Sequence, residues 1–272
     1  MAEPTRGGSL AAYRTILRAR MRAQASYRIS FATDLLGTLL VGLTELAEVW
    51  VIYHNVPLLG GLDFAAALLV FGVTNICFAA ADLVVGHLDT VPSLVRAGTI
   101  DAFYVRPLSL LGQLVTSDIS LRRIGRLTVG IVVLAIAWSA AGVAPTLTNA
   151  TLLGLALVSG TAIFAGLFTI AAGLQFFLID GREFTNSFVY GGSYAAQQSS
   201  LVYPPPVRVL FTFVVPSAFV GYLPAIALIG LPGGPIADPA WAWWSPLAAL
   251  AVWVAAALAW RSGTTHYQGG GG

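Results

Sequence analysis

Residues 127–179 form a run of 53 positions without a single Asp, Glu, Arg or Lys. A straight helix of that length would measure roughly 80 Å, whereas the apolar slab of a bilayer is about 30 Å thick. The run therefore has to fold back, and Pro145, with Thr146, Thr148 and Asn149 beside it, marks the turn. Two membrane crossings follow, at about 124–144 and 150–178. Composition agrees with the bilayer as solvent. Of the 272 residues, 57% are hydrophobic and 10% charged, with a mean hydropathy of +0.80, against about 25% charged in soluble domains. So few charges cannot cover the surface of a water-soluble fold.

Four further crossings complete an all-α polytopic membrane protein with six transmembrane helices. Residues 29–57 are long enough to cross although they carry Asp34, Glu45 and Glu48, and the apolar stretch 64–84 returns after a turn at Gly60, Gly61 and Asp63. At the far end, 243–261 forms the last crossing, with Trp241, Trp243 and Trp244 suited to the membrane interface. Between them two stretches compete. Residues 184–203 are uncharged but polar, and 204–230 are apolar but carry Pro204, Pro205, Pro206, Pro216 and Pro224. Prolines leave backbone groups unpaired in lipid, so the fifth crossing is expected at 184–203 and 204–230 as an external re-entrant pair of short helices. Either choice puts both termini on one side.

The arginines orient the chain. Six precede the first crossing, five lie within 96–126, and Arg182 and Arg261 follow the fourth and sixth crossings, so thirteen of fourteen share a side and Arg208 is the exception. The positive-inside rule makes that side cytoplasmic, with a multi-pass location in the membrane and a cytoplasmic tail at 262–272. Residues 9–28 read as a helix on the inner leaflet, because Arg14, Arg18 and Arg22 recur every four residues and Tyr13, Leu17 and Met21 flank them. No cleavable signal peptide is expected.

All fourteen basic residues are Arg. Without Lys the chain has no P-loop, whose lysine reaches the nucleotide phosphates. The single Cys77 and the scattered His54, His87 and His266 offer neither a disulfide nor a metal site, and no nucleophile spacing points to catalysis. No cofactor and no nucleic-acid partner is expected.

The connection 86–123 is long for a link between membrane helices. Ile100, Phe103 and Tyr104 alternate there with Arg96, Asp101 and Arg106, the mixture expected of a short helix between membrane and a soluble partner. Its string Arg-Ala-Gly-Thr-Ile-Asp-Ala-Phe-Tyr-Val-Arg-Pro-Leu at 96–108 resembles the cytoplasmic segment after the second crossing in bacterial ABC-transporter permeases of the type-two exporter superfamily. The closer similarity is to a six-span branch in which two related permeases are often encoded beside one ATPase. A second similar string is Tyr-Pro-Pro-Pro-Val-Arg-Val-Leu-Phe-Thr-Phe-Val-Val-Pro-Ser-Ala-Phe-Val-Gly-Tyr-Leu-Pro at 203–224, ahead of the last crossing.

The resemblance implies that residues 97–106 form a coupling helix seated on an ABC ATPase subunit, present in two copies. Arg96, Gly98, Ile100, Asp101, Phe103, Tyr104, Arg106 and Pro107 would meet it, with a second contact at Asp180, Arg182 and Glu183. It also implies a second permease, related or identical, ATP and Mg on the ATPase alone, and export of an amphipathic or hydrophobic solute.

Substrate-path candidates come from polar groups inside the crossings. Glu45 and Glu48 are three apart and share a helical face, and a carboxylate in hydrocarbon faces protein or water. Either they line a path for cationic or hydroxyl-bearing solutes, or Glu45 hydrogen-bonds another helix while Glu48 reaches the outer interface. Asn186, Gln197 and Gln198 make the fifth crossing unusually polar, as helix glue or as path lining. Two other functions use the same features: an ion- or proton-coupled secondary transporter relaying through Asp34, Glu45, Glu48 and Asp82, and a non-transporting membrane scaffold.

Overall fold

Asp63 opens the central helix of the molecule: its carboxylate accepts from the Ala66 amide at 2.8 Å, which satisfies one of the amides a helix start leaves bare. The computed structural model describes Thr15 and residues 28–117, 123–178 and 182–267. The interfacial helix expected over 9–28 lies almost wholly outside them.

The long helices are α1 (Arg28–Asn55), α2 (Phe64–Val85), α6 (Ile124–Ala140), α7 (Leu147–Leu174) and α11 (Ser245–His266). Between α2 and α6 run a 3-10 turn (Gly86–Thr90) and three short helices, α3 (Val91–Arg96), α4 (Asp101–Tyr104) and α5 (Leu110–Ser117). After α7 come α8 (Arg182–Ala196), α9 (Pro205–Val209), a π-helical turn (Leu210–Val214), a 3-10 turn (Ser217–Phe219) and α10 (Tyr222–Ile229). No strand occurs among the described residues; Leu59 and Leu62 form one isolated bridge in the α1–α2 turn. Thr146, past Pro145, caps α7 by accepting from the Asn149 amide at 3.2 Å, so the turn inside the uncharged run lies where its polar cluster sits.

Packing follows the order α1, α6, α2, α7, α11, each helix against the next. Small residues set the distances. A Cβ on Gly72 would stand 2.9 Å from the Leu134 backbone of α6, and one on Gly173 of α7 would stand 2.8 Å from the Ala259 carbonyl carbon of α11. Without a hydrophobic drive between helices in lipid, such close approach is the main source of packing energy. The core centres on α2 and α7, with Phe71, Phe78, Phe164 and Phe168 all under 2% exposed.

Among the described residues, four helical stretches are long and apolar enough to cross a bilayer, and up to five if the bent pair Pro205–Val214 and Ser217–Ile229 counts as one. α6 is apolar but has 17 residues. The expected crossing at 184–203 is not one continuous helix: α8 stops at Ala196, and 15 residues give about 22 Å, less than the apolar slab. Ser199 ends it by accepting from the Leu201 amide and donating to the Gly60 carbonyl at 2.6 Å, which draws the chain out of helix. The segment 204–230 does form two short helical arms, bent by 69°. Pro216, which lacks an amide to continue the ladder, sits at the bend.

Candidate functional site

The loop after α2 is built as a knob on a brace. α3 ends where Gly98, at φ +64°, turns left-handed, a conformation that favours glycine; the Ala97 and Gly98 amides donate back to Ser93 and Val95 at 3.0 and 3.1 Å. A continuous helix over 97–106 is therefore not formed. Only Asp101–Tyr104 is helical, one turn long, and Pro107 closes it. Gln113 of α5 ties the far side, its amide donating to the Phe103 and Leu108 carbonyls at 3.0 and 2.9 Å. Ile100, expected at the surface, is 0% exposed. As an apolar side chain it packs into the core cluster and anchors the segment from within, so it leaves the set of residues a partner could touch.

What projects is Tyr104, Val105, Arg106 and Pro107, all exposed, with Val105 at 83%. Arg96 is exposed beside them. The Arg106 guanidinium lies 5.4 Å from the Phe103 ring centre, within cation–π range. Asp101 turns sideways instead of outwards: the Tyr267 hydroxyl, just past α11, donates to its carboxylate at 2.9 Å. Partial burial and the Asp101 carboxylate raise the Tyr267 phenol above its ordinary pKa, because a phenolate there would face a second negative charge.

A second polar constellation lies between α1, α2 and α6. One terminal nitrogen of Arg126 is 2.7 Å from both Glu45 oxygens, and its Nε donates to Asn75 at 2.8 Å. The Phe78 ring covers the guanidinium at 4.5 Å. Glu45 is only 7% exposed. A buried ion pair holds only when hydrogen bonds satisfy its remaining groups, and here a carboxylate from α1 and an amide and an aromatic face from α2 supply that shell. Three residues earlier, Arg123 pairs with Asp82 at 2.9 Å, and Tyr190 of α8 donates to Asp89 at 2.8 Å. These contacts fasten α6 to the end of α2 and α8 to the 3-10 turn that follows it.

The model of the ABC-2 family transporter protein family matches residues 39–271. The chain belongs to that family. Comparisons with the curated proteins and with the solved structures found no match. The matched region takes in the knob, the polar junction and every long helix except the first turns of α1, and with the apolar helices it makes the ABC-2 chain a multi-pass membrane protein.

The remaining expected site residues fall apart in this ABC-2 fold. Asp180 lies outside the described residues, as do the side chains of Arg182 and Asn186, while Glu183 is exposed near the start of α8. Glu48 and Asp34 are exposed on α1, away from buried Glu45. Gln197 is 4% exposed, its amide nitrogen without an acceptor among the described residues, and Gln198 beside it is half-buried. Sequence reasoning missed Arg126, which it counted with the cytoplasmic arginines, and Asn75 with Phe78. Their spacing of three, on one helical face, was the available signal. It also missed Tyr267, for which the sequence carries none.

Proposed function

We propose that the chain is the permease subunit of an ATP-driven exporter in the bacterial cytoplasmic membrane, with both termini cytoplasmic. Two copies of an ABC ATPase, which alone hold ATP and Mg, dock on the knob at 104–107, and a second permease, identical or related, completes the path for an amphipathic or hydrophobic solute. The observation that carries this reading is Val105. An apolar residue 83% exposed, flanked by exposed Tyr104 and Arg106, two residue types enriched among interface anchors, on a turn stiffened from inside by Ile100 and Gln113, is the form of a surface awaiting a pocket. Arg96 and Arg106 on either side suit a pocket with an acidic rim.

Six crossings require α8 and the stretch 197–203 that follows it to span the bilayer together. The polar groups Gln197 and Gln198 there, with Asn186, are the candidates for the solute path. Glu45 is better placed as helix glue, since Arg126 already neutralises it. The same pair removes the main group a proton-coupled relay would use.

The test is capture of a P-loop ATPase, which this reading expects to be encoded beside the chain. Val105→Glu with Arg106→Glu should reduce co-purification at least tenfold, the effect of losing one interface anchor, while the permease still elutes as a folded species. Asp101 is a poor choice for this experiment because its carboxylate is engaged within the chain. Undiminished capture by the double variant would sink the docking assignment.

A further inference from the structure

The end of α11 is bound to the docking segment through one side chain. Tyr267 donates to Asp101 at 2.9 Å and stacks on Tyr104, with ring centres 5.8 Å apart and planes 12° apart. Its other side meets Phe176, just beyond α7, edge-on at 5.7 Å, and Phe176 in turn meets Trp260 of α11 at 5.7 Å. The Tyr104 hydroxyl reaches the Thr264 carbonyl of α11 at 3.5 Å, the outer limit of hydrogen bonding. Tyr104 is thus both an exposed member of the knob and a neighbour of the last helix.

From this geometry we infer that Tyr267 is a positioning residue of the transport cycle: it clamps the last membrane helix to the ATPase-docking segment, so that displacement of the segment is passed to α11. The inference rests on the proposed docking at 104–107. The segment then has two routes into the membrane. One is covalent, through α3 and the 3-10 turn into the end of α2 and, on the other side, through α5 towards α6. The other is the aromatic and hydrogen-bonded clamp into α11, which packs along α7. The clamp is stiff because Tyr267 is held on three sides, by a stacked ring, an edge-on ring and a carboxylate, and aromatic pairs favour such defined arrangements. The two routes draw α2 and α11, which lie on opposite sides of α7, into one response. Without the clamp, the segment would keep only the long Tyr104–Thr264 contact to α11.

Tyr267→Phe removes the hydroxyl and keeps the ring, and Tyr267→Ala removes both. Each is compared with the unaltered chain as the reconstituted complex with its neighbouring ATPase. Two quantities are read: the ATPase captured per permease, and the change in amide hydrogen exchange of 257–267 when Mg-ATP and vanadate trap the ATPase closed. Capture should stay at its unaltered level in both variants. The trapping-dependent exchange change should fall about threefold to tenfold in Tyr267→Phe, in line with losing a hydrogen bond to a charged group at a half-exposed site, and vanish in Tyr267→Ala. Asp101→Asn with Tyr267→Phe should do no more than either alone, since the two act as one pair.

A full exchange response in Tyr267→Ala, with the ATPase bound, would overturn the clamp while leaving the docking site intact. Loss of capture in Tyr267→Phe would also overturn it, by making Tyr267 part of the docking contact. If the unaltered chain captured no ATPase, the docking assignment would fail first and the clamp with it.

Discussion

α1 and α2 both pass as membrane crossings on length and apolarity, yet 17% of the most apolar window of α1 is buried within the chain and 78% of that of α2. The difference lies in how each helix presents small and polar residues. α1 touches the rest of the chain along one stripe, Gly42, Glu45, Val49 and Tyr53, all buried, while Leu36, Leu40 and Leu43 are at least half exposed. That stripe repeats at three and four residues, the period of a single helical face. α2 is surrounded: Gly72 admits α6, Cys77 sits against α7, and Asn75 and Phe78 receive Arg126. Apolarity shows that a helix crosses, whereas the placement of its few small and polar residues shows what it packs against. Among the described residues, α1 hangs on the fold by the Glu45–Arg126 ion pair and a narrow seam.

The largest effect should come from removing that ion pair from one side. Arg126→Leu leaves the Glu45 carboxylate buried without its cation and Asn75 without its donor, and should lower stability by about 3 kcal/mol. Thermal unfolding of the detergent-solubilised chain reads this directly. Removing both charges, Glu45→Leu with Arg126→Leu, should recover most of the loss, because two apolar side chains need no partner. A single variant as stable as the unaltered chain would mean that α1 is held by its seam alone.

Much of the fold is legible in the sequence, because bilayer thickness and charge-free runs leave few choices. The turns at 60–63 and near Pro145 lie where glycine, proline and N-capping residues mark them. The site was less legible because its contacts join distant positions. Arg126 follows four other arginines of the 96–126 stretch and looks like one more cytoplasmic charge, and nothing local shows that its partner is Glu45 on another helix. Tyr267 meets Asp101 across 166 residues. Ile100 looks like its exposed neighbours in a mixed string, and only tertiary packing turns it inwards. Gly98 was the one local warning that the string is not a continuous helix. The end of α8 is set by Ser199 reaching the Gly60 carbonyl, a contact that composition cannot reveal.

The next effect separates the two helices by glycine. Gly72→Ala should cost about 1–3 kcal/mol, because its new methyl would stand 2.9 Å from the Leu134 backbone, and a backbone cannot move aside as a flexible side chain can. Gly37→Ala on α1 meets nothing within 4 Å and should be neutral or stabilising by up to about 1 kcal/mol, the helix-propensity difference. The unfolding midpoint of Gly72→Ala should therefore fall while that of Gly37→Ala stays put or rises. Movement in the same direction would contradict the surrounded-against-hanging contrast.

The smallest effect is expected on the outer face of α1. In a bilayer the alternative to a protein contact is lipid and not water, so truncating a side chain forfeits packing and little hydrophobic energy. Leu40→Ala, at a position 63% exposed, should shift the stability of the isolated chain by less than about 0.5 kcal/mol. Val49→Ala, 4% exposed on the seam, should cost more, on the order of 1 kcal/mol. The outer face can then be read for association of two permease copies, by cross-linking in membranes. If the exposed face of α1 meets a second permease, Leu36→Ala with Leu40→Ala weakens association while the unfolding midpoint of the single chain stays put. If that face meets only lipid, neither quantity changes, and the second permease has to dock elsewhere.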